Sequence, residues 1–156
     1  MSATGRTHQQ KITSIVLADD DQDDHEFFQE ALHEIAPSIK LTIVKNGDEL
    51  ISLLKHYLPD FIFLDLEMPC KNGLECLTEI RSNVLLENIP VVIFSSTTRP
   101  ANIDTAYEMG ADLFFIKPSV YKELTSSIQA ILTLNWKDPS KIKEQYFING
   151  RYVAFM

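Results

Sequence analysis

Short apolar blocks punctuate the chain at residues 12–18 and 41–44, in "FIFL", in "IPVVIFSS" and in "LFFIK". The "FIFL" block has no polar residue alternating within it, which is how a strand covered on both faces by helices reads. Between the blocks the apolar positions recur at helical spacing. Over 23–36, Phe27, Phe28, Ala31, Leu32 and Ile35 share one face, with Asp21 placed to cap the first turn. "NGDELISLLKHYL" groups Leu50, Leu53, Leu54 and Tyr57, and a helix over 74–82 uses Leu74, Leu77 and Ile80. A short helix over 103–109 stops at Gly110. Ser119 then stands where it would cap a long helix over 120–134, with Val120, Leu124, Ile128, Ile131 and Leu132 inward. Strand and helix alternate about five times, so the expected fold is α/β: a doubly wound, five-stranded parallel sheet with helices on both faces.

Parallel strands joined by right-handed crossovers bring their C-terminal ends to one rim, where ligands bind. Four of the five blocks finish there on polar groups: Asp19 and Asp20, Asp65, Ser95 with Ser96, and Lys117. Three carboxylates at close range repel and call for a cation, and oxygen ligands suit Mg²⁺. A lysine and a hydroxyl facing such a cation fit phosphoryl transfer, with Asp65 as the attacking carboxylate.

Charge narrows the partners. Eight acids lie between Asp19 and Glu34 with no Lys or Arg among them, and the remaining 14 acids equal the 14 Lys plus Arg, so the whole net charge of −8 sits in one strand end and the helix after it. A bland reading assigns Asp23, Asp24 and Glu26 to the positive helix N-terminus. The excess of acid argues against nucleic acid as a partner. Hydrophobic content of 45% with 23% charged residues reads as globular. No apolar run is long enough for a membrane span and "MSATGRTHQQK" lacks a signal-peptide core, so the expectation is a cytoplasmic protein with free Cys70 and Cys76. His8, His25, His33 and His56 share no metal-like spacing and read as solvated or capping residues.

Across residues 12–134 the chain closely resembles the response-regulator receiver family of two-component signalling. The motifs that carry it are "IVLADDD", "FIFLDLEMPCKNG", "PVVIFSS" and "GADLFFIKP", in matching order and spacing. The resemblance, not the periodicity, implies the strand order 2-1-3-4-5. It also implies that Asp65 accepts a phosphoryl group from a sensor histidine kinase or a histidine phosphotransfer protein. Asp20 and Asp65 would ligate Mg²⁺ directly, Asp19 through water, and Glu67 through its backbone carbonyl. Lys117 would pair with phosphoryl oxygens, its bond to Pro118 being cis as is usual in the family. Ser95 and Phe114 would form the switch that alters the surface of the fourth helix, fifth strand and fifth helix for a downstream protein partner. The implied role is a phospho-accepting switch with slow self-dephosphorylation, not a multiple-turnover enzyme.

Phe114 replaces the Tyr often found in the family, which removes a phenolic hydrogen bond, and Glu67 adds a carboxylate near the acceptor. Two other readings of the same residues stand beside this one. An inactive receiver-like module should lack an acid, the hydroxyl or the lysine, and a haloacid-dehalogenase-type phosphohydrolase should carry a second Asp where Glu67 stands. Residues 1–11 read as a flexible segment. Residues 135–156 read as an extension with no second domain, and "YFINGRYV" predicts a type I′ hairpin near 146–153. A lone hairpin is marginal, so Tyr146, Phe147, Tyr152 and Phe155 are expected to pack on the receiver or on a second copy in a homodimer.

Overall fold

The computed structural model describes residues 11–155. His8 and nearly all of the segment expected to be flexible lie outside the described residues. Strands β1 (Ser14–Ala18), β2 (Lys40–Val44), β3 (Phe61–Leu64), β4 (Val91–Ser95) and β5 (Leu113–Ile116) form one parallel sheet in the order β2-β1-β3-β4-β5. Helices α1 (Gln22–Ile35), α2 (Gly47–Leu54), α3 (Gly73–Ser82), α4 (Pro100–Glu108) and α5 (Tyr121–Leu132) follow the strands in turn. Every residue of β3 and β4 is buried, as their unbroken apolar character requires. Alternate residues feed two cores. One gathers Val16, Ile62, Leu64 and Ile93 with Leu50, Leu77 and Tyr107; the other gathers Ile15, Phe61, Phe63 and Phe94 with Phe28, Ile128 and Ile131.

Some details correct the sequence reading. Phe28, not Phe27, is the aromatic that α1 buries, edge-on to Phe63 and Phe94. A residue one step earlier on a helix points about 100° away, and Phe27 is left half-exposed. The same geometry buries His25, three positions before Phe28, so it is neither solvated nor a cap. At α5 the N-cap is Val120 and no side chain caps the helix, so Ser119 does not do so. Val120 has extended backbone and an exposed side chain, and it is not part of the inward face.

Beyond α5 the chain adds a short helix α6 (Pro139–Gln145) and a two-stranded ribbon, β6 (Phe147–Ile148) and β7 (Arg151–Tyr152). Asn149 and Gly150 both have positive φ, 53° and 83°, the pairing a type I′ turn needs. Trp136 and Ile142 are buried against the α1/α5 side of the sheet, and Trp136 Nε1 donates to Ile131 O at 2.8 Å. The ribbon lies against α4, where the Tyr152 ring stacks on Tyr107 with centroids 4.6 Å apart and Arg151 pairs with Asp104 at 3.1 Å. Phe155 then extends the sheet: its N–H donates to Phe114 O at 2.7 Å on the outer edge of β5. Phe147 is the exception among the four aromatics and stays half-exposed.

Candidate functional site

The C-terminal rim collects the polar strand ends. Asp65 N donates to Ala18 O at 2.9 Å, continuing the β1–β3 ladder one step past β3 and fixing Asp65 beside Asp19. Asp19 is fully buried and Asp65 nearly so, while Asp20 is exposed. Gly73 makes the return of the chain fit here. A Cβ at that position would stand 2.3 Å from Asp65 O and 2.7 Å from Leu66 Cα, so only glycine lets α3 begin so close beneath the loop after β3. Asp21 caps α1 as expected, accepting from Asp23 N and Asp24 N.

Lys117 N donates to Ser95 O at 2.8 Å, which places the lysine at the end of β5. Its amine reaches Asp19 Oδ2 at 2.9 Å and Asp65 Oδ2 at 3.2 Å. It does so without the expected cis bond to Pro118, since no described peptide bond is cis. The trans form is the one intrinsically preferred before proline, and the flexible four-carbon lysine stem supplies the reach. A third partner was not foreseen: Asp24, read from the sequence as a helix-terminus acid, holds the same amine at 2.6 Å. No spacing signal marks Asp24, because the contact joins residues 93 positions apart.

Burial pushes the Asp65 carboxyl up to about 6, against the pull of Lys117 and with the help of the Asp19 charge. Burial also raises Asp19, although Asp21 N–H and Lys117 oppose it. Burial acts to lower the Lys117 ammonium, but its hydrogen bond to Asp24 and the charges of Asp19 and Asp65 beside it outweigh that, and its pKa is raised. The site is thus an overcharged cluster of acids around one cation.

Asp19, Asp20 and Asp65 each offer an oxygen, and these oxygens lie within 4.8 Å of one another. Asp19 Oδ2 is buried and has no directed hydrogen bond; its closeness to Lys117 is ionic rather than a bond of good geometry. An orphaned carboxylate oxygen beside two others fits a hard divalent ion. Glu67 is exposed, and its N–H donates to Asp65 Oδ1 at 3.2 Å. Asp20, Asp21, Asp24, Asp65, Glu67 and Ser96 line an open cleft of about 560 Å³ together with the Lys117–Ser119 turn. Ser95 is fully buried at the end of β4, its Oγ accepting from Thr97 N at 3.3 Å, so Ser96 is the hydroxyl on the cleft wall. Phe114 is fully buried beneath α4, and its N–H donates to the Tyr107 hydroxyl at 3.0 Å.

Comparison with known proteins identifies the family. A family profile described as the response regulator receiver domain matches residues 15–129. The chain is 29% identical over 124 residues to response regulator Rcp1 of Synechocystis, covering 75% of this chain and 84% of Rcp1. It is 30% identical over 112 residues to the sensory transduction protein BceR of Halalkalibacterium halodurans, covering 71% of this chain but 47% of BceR, which is about half that relative's length. Among solved structures it resembles the phosphorylated cyanobacterial phytochrome response regulator RcpA, with a TM-score of 0.72, 29% identity and coverage of 78% and 91% of the two chains. The Mn²⁺-bound form of Rcp1 also superposes with a TM-score of 0.72, at 28% identity over 78% of this chain and 93% of that one.

Proposed function

The chain belongs to the response regulator receiver family, and from that premise we propose that it is a phospho-accepting switch in which Asp65 carries the phosphoryl group. The observation that supports this most is the Lys117 amine lying 3.2 Å from Asp65 Oδ2 and 2.9 Å from Asp19 Oδ2 at the rim where β1, β3 and β5 end. The donor is a phosphohistidine on a sensor histidine kinase or a histidine phosphotransfer protein. An Asp65 oxygen forms the new bond to phosphorus while the phosphorus–nitrogen bond breaks, and the imidazole leaves with the electron pair and takes a proton.

Asp19, Asp20, Asp65 and the carbonyl of Glu67 would hold Mg²⁺, which supplies charge neutralisation at the phosphoryl oxygens. Lys117 offers the amine to those oxygens. In this reading the acyl phosphate turns over slowly, and the protein acts as a switch rather than a multiple-turnover enzyme. Ser95 moves its hydroxyl toward the phosphoryl group and Phe114 follows. Because Phe114 packs under α4 and bonds to Tyr107, this repacks the α4–β5–α5 face for a downstream protein. No described helix is long and apolar enough to cross a membrane, and the action we assign is in the cytoplasm.

Incubating the protein with Mg²⁺ and acetyl phosphate and weighing it intact tests the reading. One labile phosphate is expected, lost in Asp65→Asn and after chelation. Continuous release of inorganic phosphate from small phosphate esters would replace the switch with a hydrolase, and no adduct would leave an inert module.

A further inference from the structure

Lys117 has three ammonium N–H groups and three carboxylate neighbours, and the closest is not the acceptor. Asp24 Oδ2 stands at 2.6 Å, Asp19 Oδ2 at 2.9 Å and Asp65 Oδ2 at 3.2 Å. Asp24 differs from the other two in place. It lies in the first turn of α1, outside the cluster of three acids at the strand ends, and is more exposed than either of its rivals. It also stands between two clefts. One is the acid cleft, and the other is a cavity of about 220 Å³ between α1 and α5, lined by Phe27, Phe94, Val120 and Leu124. The amine is therefore drawn toward α1 by a carboxylate that faces the cleft but belongs to neither the acceptor nor the acid trio.

We propose that Asp24 is a positioning residue that tethers Lys117 in the resting protein and so restrains phosphorylation of Asp65. The inference rests on the phospho-acceptor reading above. An oxygen of the incoming phosphoryl group needs an ammonium N–H, and Asp24 holds one of the three at the shortest distance. Part of the lysine charge is also already balanced before the donor arrives. Removing the Asp24 charge frees both.

The test uses the full chain with Mg²⁺ and acetyl phosphate, whose bond from phosphorus to oxygen breaks as acetate leaves and Asp65 bonds to phosphorus. Asp24→Asn is expected to gain the phosphate about fivefold faster, the scale of one partly exposed ion pair. Asp24→Ala, which removes acceptor and charge together, shifts the rate in the same direction. Asp23→Asn is the control. It removes the same charge from the same exposed helical turn, where Asp23 makes no contact with Lys117, and its rate stays at the wild-type value. A second readout needs neither metal nor phosphate: the ammonium N–H resonance of Lys117 in heteronuclear NMR of the chelated protein moves in Asp24→Asn and stays in place in Asp23→Asn. Equal acceleration in both variants would make the effect one of general field, and a slower or unchanged Asp24→Asn would remove the restraint; either overturns the proposal. If the wild-type chain takes no phosphate at all, the functional reading fails, whereas an unmoved Lys117 resonance in Asp24→Asn overturns the tether by itself.

Discussion

Strand β3 carries an aspartate just before it and another just after it, Asp60 at the N-terminal rim of the sheet and Asp65 at the C-terminal rim. Asp60 Oδ2 accepts from Thr13 N at 2.8 Å, from Thr13 Oγ1 at 2.9 Å and from Ser14 N at 3.1 Å. Burial acts to raise its pKa, yet these bonds win and hold it below the usual carboxylate range. Asp65 is more deeply buried and receives only a 3.2 Å bond from Glu67 N and the shared amine of Lys117, so burial wins and its carboxyl is pushed up to about 6. The number of local donors, not the residue type, decides whether an acid joins two strand ends or keeps its oxygens available for chemistry.

A divalent cation should act on this contrast most strongly, because the acids that would hold it lie on one rim only. At a hundredfold excess over its Kd, Mg²⁺ is expected to stabilise the fold by about 2.7 kcal/mol, read as a higher urea midpoint. The gain should shrink in Asp20→Asn and persist in Asp60→Ala; equal loss in both would break the distinction between the rims. Next in size, Asp60→Ala should cost about 1–2 kcal/mol, the charge-assisted bonds being discounted for solvent exposure. Asp65→Asn in the presence of chelator should instead gain about 1 kcal/mol, since it removes a poorly satisfied buried charge. Opposite signs in paired denaturation curves are the expected result.

A further effect is on pH dependence. Asp65 in the folded, chelated protein keeps its proton up to about 6, whereas in the unfolded chain it loses it near 4. Its contribution is therefore fully present below the unfolded value and is lost as pH rises from about 4 to about 6. For Asp60, whose folded pKa is lowered, the contribution is present above the unfolded value and is lost as pH falls through the folded one. Urea midpoints across this range should flatten above pH 4 in Asp65→Asn, and should lose part of the acid-side fall in Asp60→Ala.

The rim that joins Asp19, Asp65 and Lys117 was readable because the apolar runs of β1, β3 and β5 are each followed directly by a polar group. Asp21 as the cap of α1 was legible for a local reason too, since its partners are two and three residues away. Asp24 was not, because it looks like any helix-terminus acid until the fold brings Lys117 to it. His25 was missed because a polar ring on an amphipathic helix gives no sign that its Nε2 will meet the carbonyl of Asp19. Helix α6 offers seven residues with Ile142 as its one buried anchor, too few to show a period. The trans bond at Pro118 shows the limit of resemblance, which supplied a peptide geometry that these residues do not adopt.

The pairing of Phe155 with β5 gives the two margins of the sheet unequal prospects in a crowded solution. An outer strand with unsatisfied amides is a template on which other chains can assemble into fibrils. Along β5, Phe155 occupies that template from within the same molecule, taking Phe114 O and offering its own carbonyl to Ile116 N. A peptide seeking to add a strand is thereby steered to the β2 margin, where Lys40 sets an exposed positive charge against such growth.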